Sequence, residues 1–287
     1  MINCINLNFL VMKKIVMLLV FITVLIPVFF SCDDNETEKA PLLPPIESMA
    51  IDFSNFAGDS KAAAEFKTVT NYSWAALTVY FWNVTVGSVI AVPIAAYKNS
   101  FNHTPVYLGN NKWQWSYSVT GFASDYTARL TGELRTNDVK WEMYITKTGI
   151  GAFAEFKWFE GTSSLDRNTG QWTLYHSYAF QEEVLVIDWL RISGEFSQIT
   201  YTYVRELNDN RETENFNGSY LTYGLQTGDY DAYYKVHAYS PNLLDFADTY
   251  IEWNSTEYYG HIKAYHIYQN NNWHCWDTLG NDIDCTN

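Results

Sequence analysis

From Asn111 to the end of the chain, short runs of Trp, Tyr, Thr, Val and Ile are broken by turn residues every eight to fifteen positions. That texture belongs to antiparallel strands. In Val139 to Ile145 the odd positions are apolar, with Lys140 and Glu142 between them. The same alternation sets Ala128 and Leu130 against Arg129 and Glu133, and Phe156 and Trp158 against Glu155 and Lys157. Each such strand buries one face and wets the other. Comparable runs continue through Trp172 to His176, Val184 to Ile192, Ile199 to Glu206, Tyr220 to Gln226, Tyr230 to Tyr239, Thr249 to Trp253 and Tyr258 to Tyr268. Turns are marked at Thr136-Asn137-Asp138, Ser193-Gly194, Thr227-Gly228-Asp229 and Asn270-Asn271-Asn272. The expected fold is a meander of about eleven strands in which neighbours in sequence pair in space, a sheet long enough to curl.

Such a sheet has a large apolar face to cover. Between Thr68 and Tyr97 the chain has no charged residue, and its apolar positions go all the way round a helix. A helix of that kind is surrounded by protein or by lipid. A buried helix is the expectation here, with a pair of buried strands and a membrane span as the alternatives; Thr78, Asn83, Thr85, Ser88 and Pro93 interrupt any span. The fold class is therefore α+β and β-dominated, an antiparallel meander curled as a half-barrel or barrel around an apolar helix. In outline this resembles the half-open barrels that carry lipidated chains between bacterial membranes and, more distantly, the lipocalins. The likeness is architectural and transfers no functional residue.

The N-terminus is a different kind of signal. Lys13 and Lys14 precede an uncharged apolar run from Ile15 to Phe30, which ends at Phe29-Phe30-Ser31-Cys32. A basic start, a short apolar core and a small residue before cysteine make a signal-peptide layout, and the ending resembles a lipobox, with Phe29 where leucine is commonest. The resemblance to bacterial lipoproteins implies a signal peptide over residues 1–31, with translation starting at Met1 or at Met12, and lipid on Cys32. It also implies export and a lipid anchor in the outer membrane, in its periplasmic or surface-exposed leaflet. Residues 32–47 are acidic, then Pro-rich, and read as a tether. A single globular domain is expected over 48–287, helical within 60–100 and β-rich over 111–287.

Past residue 31 the chain keeps all 32 acidic residues but loses Lys13 and Lys14 from the 18 basic ones, so its formal charge is 16 − 32 = −16. That balance argues against nucleic acid as a partner and against docking on anionic lipid through a basic patch. Cys275 and Cys285 flank Gly280 symmetrically. A hairpin turning there brings them opposite each other in an oxidising compartment, so a disulfide is expected.

Little in the sequence nominates chemistry. Of the six histidines, His261 and His266 fall on opposite faces if Tyr258 to Tyr268 is one strand, and no metal-site spacing links the rest, so neither a metal nor a cofactor is expected. Carboxylates cluster as Glu155 with Glu160, Glu182 and Glu183 with Asp188, and Glu206 with Asp209, which among 32 acidic residues arises by chance. No nucleophile elbow, phosphate loop or His-Glu-x-x-His is present. Activity as an enzyme, with a glycan-active hydrolase the nearest case, has no nominated residue. Binding is the stronger expectation: an apolar or lipid molecule in a gap between helix and sheet, or a glycan or protein on a tyrosine-rich wet face formed by Tyr233, His237, Tyr239, Tyr259, His261 and Tyr265.

Overall fold

The computed structural model describes residues 39–50, 70–121 and 124–285. The chain divides into two compact units, Met1–Lys39 and Ala40–Asn287. The expected signal segment, Cys32 and the expected tether as far as residue 38 lie outside the described residues.

The second unit opens with a single 3-10 turn, Ile46–Ser48, and helix α1 (Asn71–Ser100). Among the described residues, fourteen strands then form one antiparallel sheet whose spatial order is the sequence order. They are β1 (Val106–Gly109), β2 (Lys112–Gly121), β3 (Ser124–Leu134), β4 (Asp138–Lys147), β5 (Phe153–Ser164), β6 (Thr169–Tyr175) and β7 (Glu183–Ile192). The second half comprises β8 (Glu195–Tyr203), β9 (Tyr220–Leu225), β10 (Ala232–Ser240), β11 (Asp245–Trp253), β12 (Gly260–Lys263), β13 (His274–Trp276) and β14 (Asp282–Ile283). A short helix α2 (Tyr265–Tyr268) separates β12 from β13.

The expected alternation is clearest in β4, where Val139, Trp141, Met143 and Ile145 are buried and the residues between them are half-buried. β5 departs from it. Met143 pairs with Phe159 and Tyr144 with Lys157, so Trp158 is the extra residue of a bulge, and Phe159 takes the inward place expected of Trp158. The sheet is open: β1 and β14 are its unpaired edges, so the chain does not build the barrel that was one expected form. With only two residues, β14 offers too few backbone groups to close the ladder.

Two more boundaries move for a similar reason. Tyr258 to Tyr268 is not one strand: among the described residues, β13 reaches no further along this segment than Gly260, His261 and Ile262. Beyond Lys263 the backbone therefore satisfies itself, Tyr268 N–H donating to Ala264 O and Gln269 N–H to Tyr265 O, and the turn ends at Gln269 with φ 58°. Cys275 and Cys285 are bridged across a Cα separation of 5.3 Å. The hairpin register is not centred on Gly280, because Cys275 pairs with Ile283, and the bridge runs diagonally to a residue past β14. Closing so short a loop stabilises the fold by about 2–3 kcal/mol.

Large aromatic side chains fill the core, with Trp141, Trp172, Trp253, Trp276, Tyr97, Tyr201 and Tyr234 all fully buried. Their polar tips pull the start of the unit inward. Tyr97 Oη donates to Pro44 O at 2.6 Å, Trp172 Nε1 to Ser48 Oγ at 3.2 Å, and Tyr201 Oη to Met49 O at 3.2 Å. Residues 40–47, expected as tether, thus belong to the folded body, with Pro44 buried and Ser48 and Met49 beyond it buried as well. The aromatics need space on the next strand: Gly132 faces Trp141, Gly161 faces both Trp141 and Trp172, and Gly170 faces Trp189. A Cβ on Gly161 would meet the Gln171 carbonyl oxygen first and then the Trp172 ring at 2.5 Å.

Helix α1 begins at a capping box between Thr70 and Ser73. Its N-terminus is held by Asp282 Oδ1, which accepts from Asn71 N–H at 2.7 Å, and by the Asn71 amide, which donates to Cys275 O at 3.0 Å. Its far end is held by Tyr117 Oη, which donates to Ala96 O at 2.6 Å. The helix packs on β2 and β3 near one end of the sheet and on β12 and β13 near the other. It bends by 67° between Asn71–Gly87 and Ile90–Ser100. Pro93 supplies the cause, since it has no N–H for the carbonyl four residues earlier and its ring crowds that carbonyl. No single helix among the described residues is long and apolar enough to cross a membrane.

Candidate functional site

The helix was expected to be covered on all sides, and it is not. Val79, Val86 and Ile90 are buried, but Tyr80 and Phe81 are each 61% exposed, and Trp74, Leu77 and Val84 are exposed with them. Trp74, Leu77, Phe81 and Thr85 recur at helical spacing and line a groove of about 710 Å³ between the first half of α1 and the end of the sheet formed by β10 and β11. Contiguous exposed apolar surface of this kind marks ligand grooves or partner contacts.

The opposite wall explains why the groove exists. In β10 the inward residues run Tyr234, Val236, Ala238, and in β11 their partners run Ile251, Thr249, Ala247. Side-chain volume falls along both strands towards the same end, so the sheet stops filling the space beneath the helix. Phe216 and Ile267 close the sides. The two helix hydroxyls spend themselves on the backbone, Thr78 Oγ1 donating to Trp74 O at 2.9 Å and Thr85 Oγ1 to Phe81 O at 2.8 Å. They leave the walls apolar in effect.

The wet face is organised differently from the expectation. Tyr233, His237 and Tyr239 do share one face of β10, and His261 lies on the same face of β12 through the intervening Glu252. His237 sits opposite Asp248 and His261 opposite Glu252. Those carboxylates are four residues apart on one strand, so the two histidines stand about 13 Å apart. Tyr259 precedes β12 and Tyr265 belongs to α2, so the six residues do not form one cluster. Most of their rings are engaged. His237 stacks on Phe246 at 4.7 Å and on Tyr220 at 5.2 Å, and His261 stacks on Trp273 at 3.7 Å. Lys235 covers the Tyr233 ring at 4.9 Å. A flat sugar-stacking platform needs bare rings, and this face provides few.

Both histidines hold carboxylates, His237 Nδ1 at 2.7 Å from Asp248 and His261 Nε2 at 2.9 Å from Glu252. Burial pushes the His261 pKa below the usual value in spite of Glu252. Among the described residues, no three His, Cys, Asp or Glu side chains gather in a metal-binding arrangement. Of the carboxylates flagged in the sequence, Glu155, Glu160, Glu182 and Asp209 are ion-paired. Glu155 holds Arg129 at 2.6 Å, and buried Arg205 holds both Glu182 at 2.9 Å and Asp209 at 2.5 Å. Burial disfavours the charge on Glu160, yet hydrogen bonds from Tyr175 and Lys157 keep its pKa below the usual carboxylate value.

Comparison with protein-family models, with curated proteins and with solved structures finds no match for this chain.

Proposed function

We propose that this is an exported, lipid-anchored binding protein that takes an acyl chain or similar apolar molecule into the groove between α1 and the β10–β11 end of the sheet. The observation that carries the reading is the groove itself: about 710 Å³, within the range of small-molecule sites, with aromatic and aliphatic side chains exposed along one helix face. Trp74, Leu77 and Phe81 are 37–61% exposed, so an apolar ligand that completes their burial gains about 1 kcal/mol from each. In this reading the sheet curls as a half-barrel around α1, and the groove is the part of that wrap left unfilled. Export and anchoring rest on the run from Lys13 to Cys32. Cys32→Ala is expected to move the chain out of the membrane fraction, and unchanged membrane recovery would remove the anchor from the proposal.

The ligand is tested by native mass spectrometry on the mature chain, Asp33–Asn287, secreted without lipid and purified free of detergent. The expected result is a bound apolar mass released by organic extraction, or uptake of one acyl chain per protein from a lipid extract. An apo mass under both conditions overturns the reading.

A further inference from the structure

The groove has a polar neighbour. β12 ends at Lys263, opposite Tyr250, so Asp245 to Thr249 of β11 pair with β10 on one side and with no strand on the other. The chain turns into α2 there and leaves a window in the sheet. A second cavity of about 380 Å³ opens at the window, lined by Asp248, Tyr250, Lys263, Tyr265 and Asn271. Ala247 and His266 line both cavities, so the apolar groove and the polar pocket are neighbours on either side of these two residues. His266 Nδ1 is buried there without a hydrogen-bond partner.

The charges in the polar pocket are unequal. Asp248 is hydrogen-bonded to His237 Nδ1 at 2.7 Å, a contact that a neutral imidazole makes without cancelling the carboxylate's charge. Lys263 has no carboxylate partner among the described residues; its ammonium sits between the rings of Tyr250 and Trp273 at 4.9 and 4.8 Å. Aromatic rings hold a lysine in place without neutralising it. In a chain with a formal charge of −14, Lys263 is thus a cation held in place beside the apolar groove, with the Asp248 carboxylate on the wall of the same pocket.

We propose that the two cavities form one site for an amphiphile, with the acyl chain in the groove and an anionic headgroup, carboxylate or phosphate, in the pocket against Lys263. Beside the headgroup, His266 has an unpaired ring nitrogen and Asn271 an amide, both able to hydrogen-bond an oxygen. This inference rests on the groove reading above and names the ligand class.

The test is calorimetric titration of the mature chain at pH 7 with three amphiphiles of one chain length: laurate, lauroyl lysophosphatidylglycerol and neutral monolauroylglycerol. At least one anionic ligand is expected to bind about tenfold more tightly than the neutral one. Lys263→Gln is expected to abolish that preference. Which anionic ligand binds more tightly separates carboxylate from phosphate. Equal affinity for neutral and anionic ligands, or a preference that survives Lys263→Gln, overturns the headgroup site and leaves the groove standing. No binding of any of the three overturns both.

Discussion

Ala238→Phe is expected to abolish acyl-chain uptake while leaving the fold at least as stable as the wild type. Ala238 and its partner Ala247 form the floor of the groove where the inner face of the sheet tapers. A benzyl group there occupies the space that the ligand needs and packs against Phe81 and Leu77 across the gap. Displacing four methylenes of a bound chain forfeits about 3 kcal/mol, a loss of affinity of roughly 100-fold or more. The pairing of readouts matters. An ordinary core mutation lowers both stability and binding, whereas a filled cavity lowers binding alone. Thermal melting and titration with laurate decide the matter; a variant that binds as the wild type does places the ligand elsewhere, and one that melts well below it shows that the space was already occupied.

What the sequence makes legible is the part governed by local rules. The one-sided alternation of Val139 to Ile145 marks β4, because a strand half in water has a period of two whatever it packs on. The uncharged stretch identifies α1 for the complementary reason. The failures have a common source in long-range pairing. The bulge at Trp158 depends on how β5 meets β4, and the end of β12 depends on how little of β13 exists to pair with it. Neither is written in the residues concerned. The groove was half legible. Tyr234, Val236, Ala238 and Ala247, Thr249, Ile251 each show a trend in size, but only the antiparallel register turns two trends into one cavity. Counting the apolar positions of α1 could not tell which of them the sheet would reach, since the count treats Val79 and Phe81 alike. Of the tyrosine-rich face expected from the sequence, Tyr233, His237 and Tyr239 share β10 and His261 lies on β12, while Tyr259 and Tyr265 fall outside the strands. The rings of His237 and Tyr233 are engaged by Phe246 and Lys235, which composition cannot show.

Gly161→Ala is expected to cost about 3 kcal/mol, the effect of forcing an extra methyl into a packed core. Gly161 lies between Trp141 on β4 and Trp172 on β6, and its missing side chain is the space into which the Trp172 ring folds. That ring in turn packs on Tyr97 of α1 and on Phe159, both at 5.4 Å, and donates to Ser48. A shift of Trp172 therefore reaches the helix and the segment around Ser48 together, so the loss should appear as one cooperative change in a urea transition. Shrinking Trp172 removes only the ring's share of the clash, because the backbone carbonyl oxygen of Gln171 lies closer still to that Cβ and stays in place. In a Trp172→Leu background, itself destabilised, Gly161→Ala should cost less than in the wild type but still destabilise, with a non-additivity of about 1 kcal/mol. Additive losses would mean that the Gln171 carbonyl alone excludes a side chain at Gly161 and that the tryptophan plays no part there.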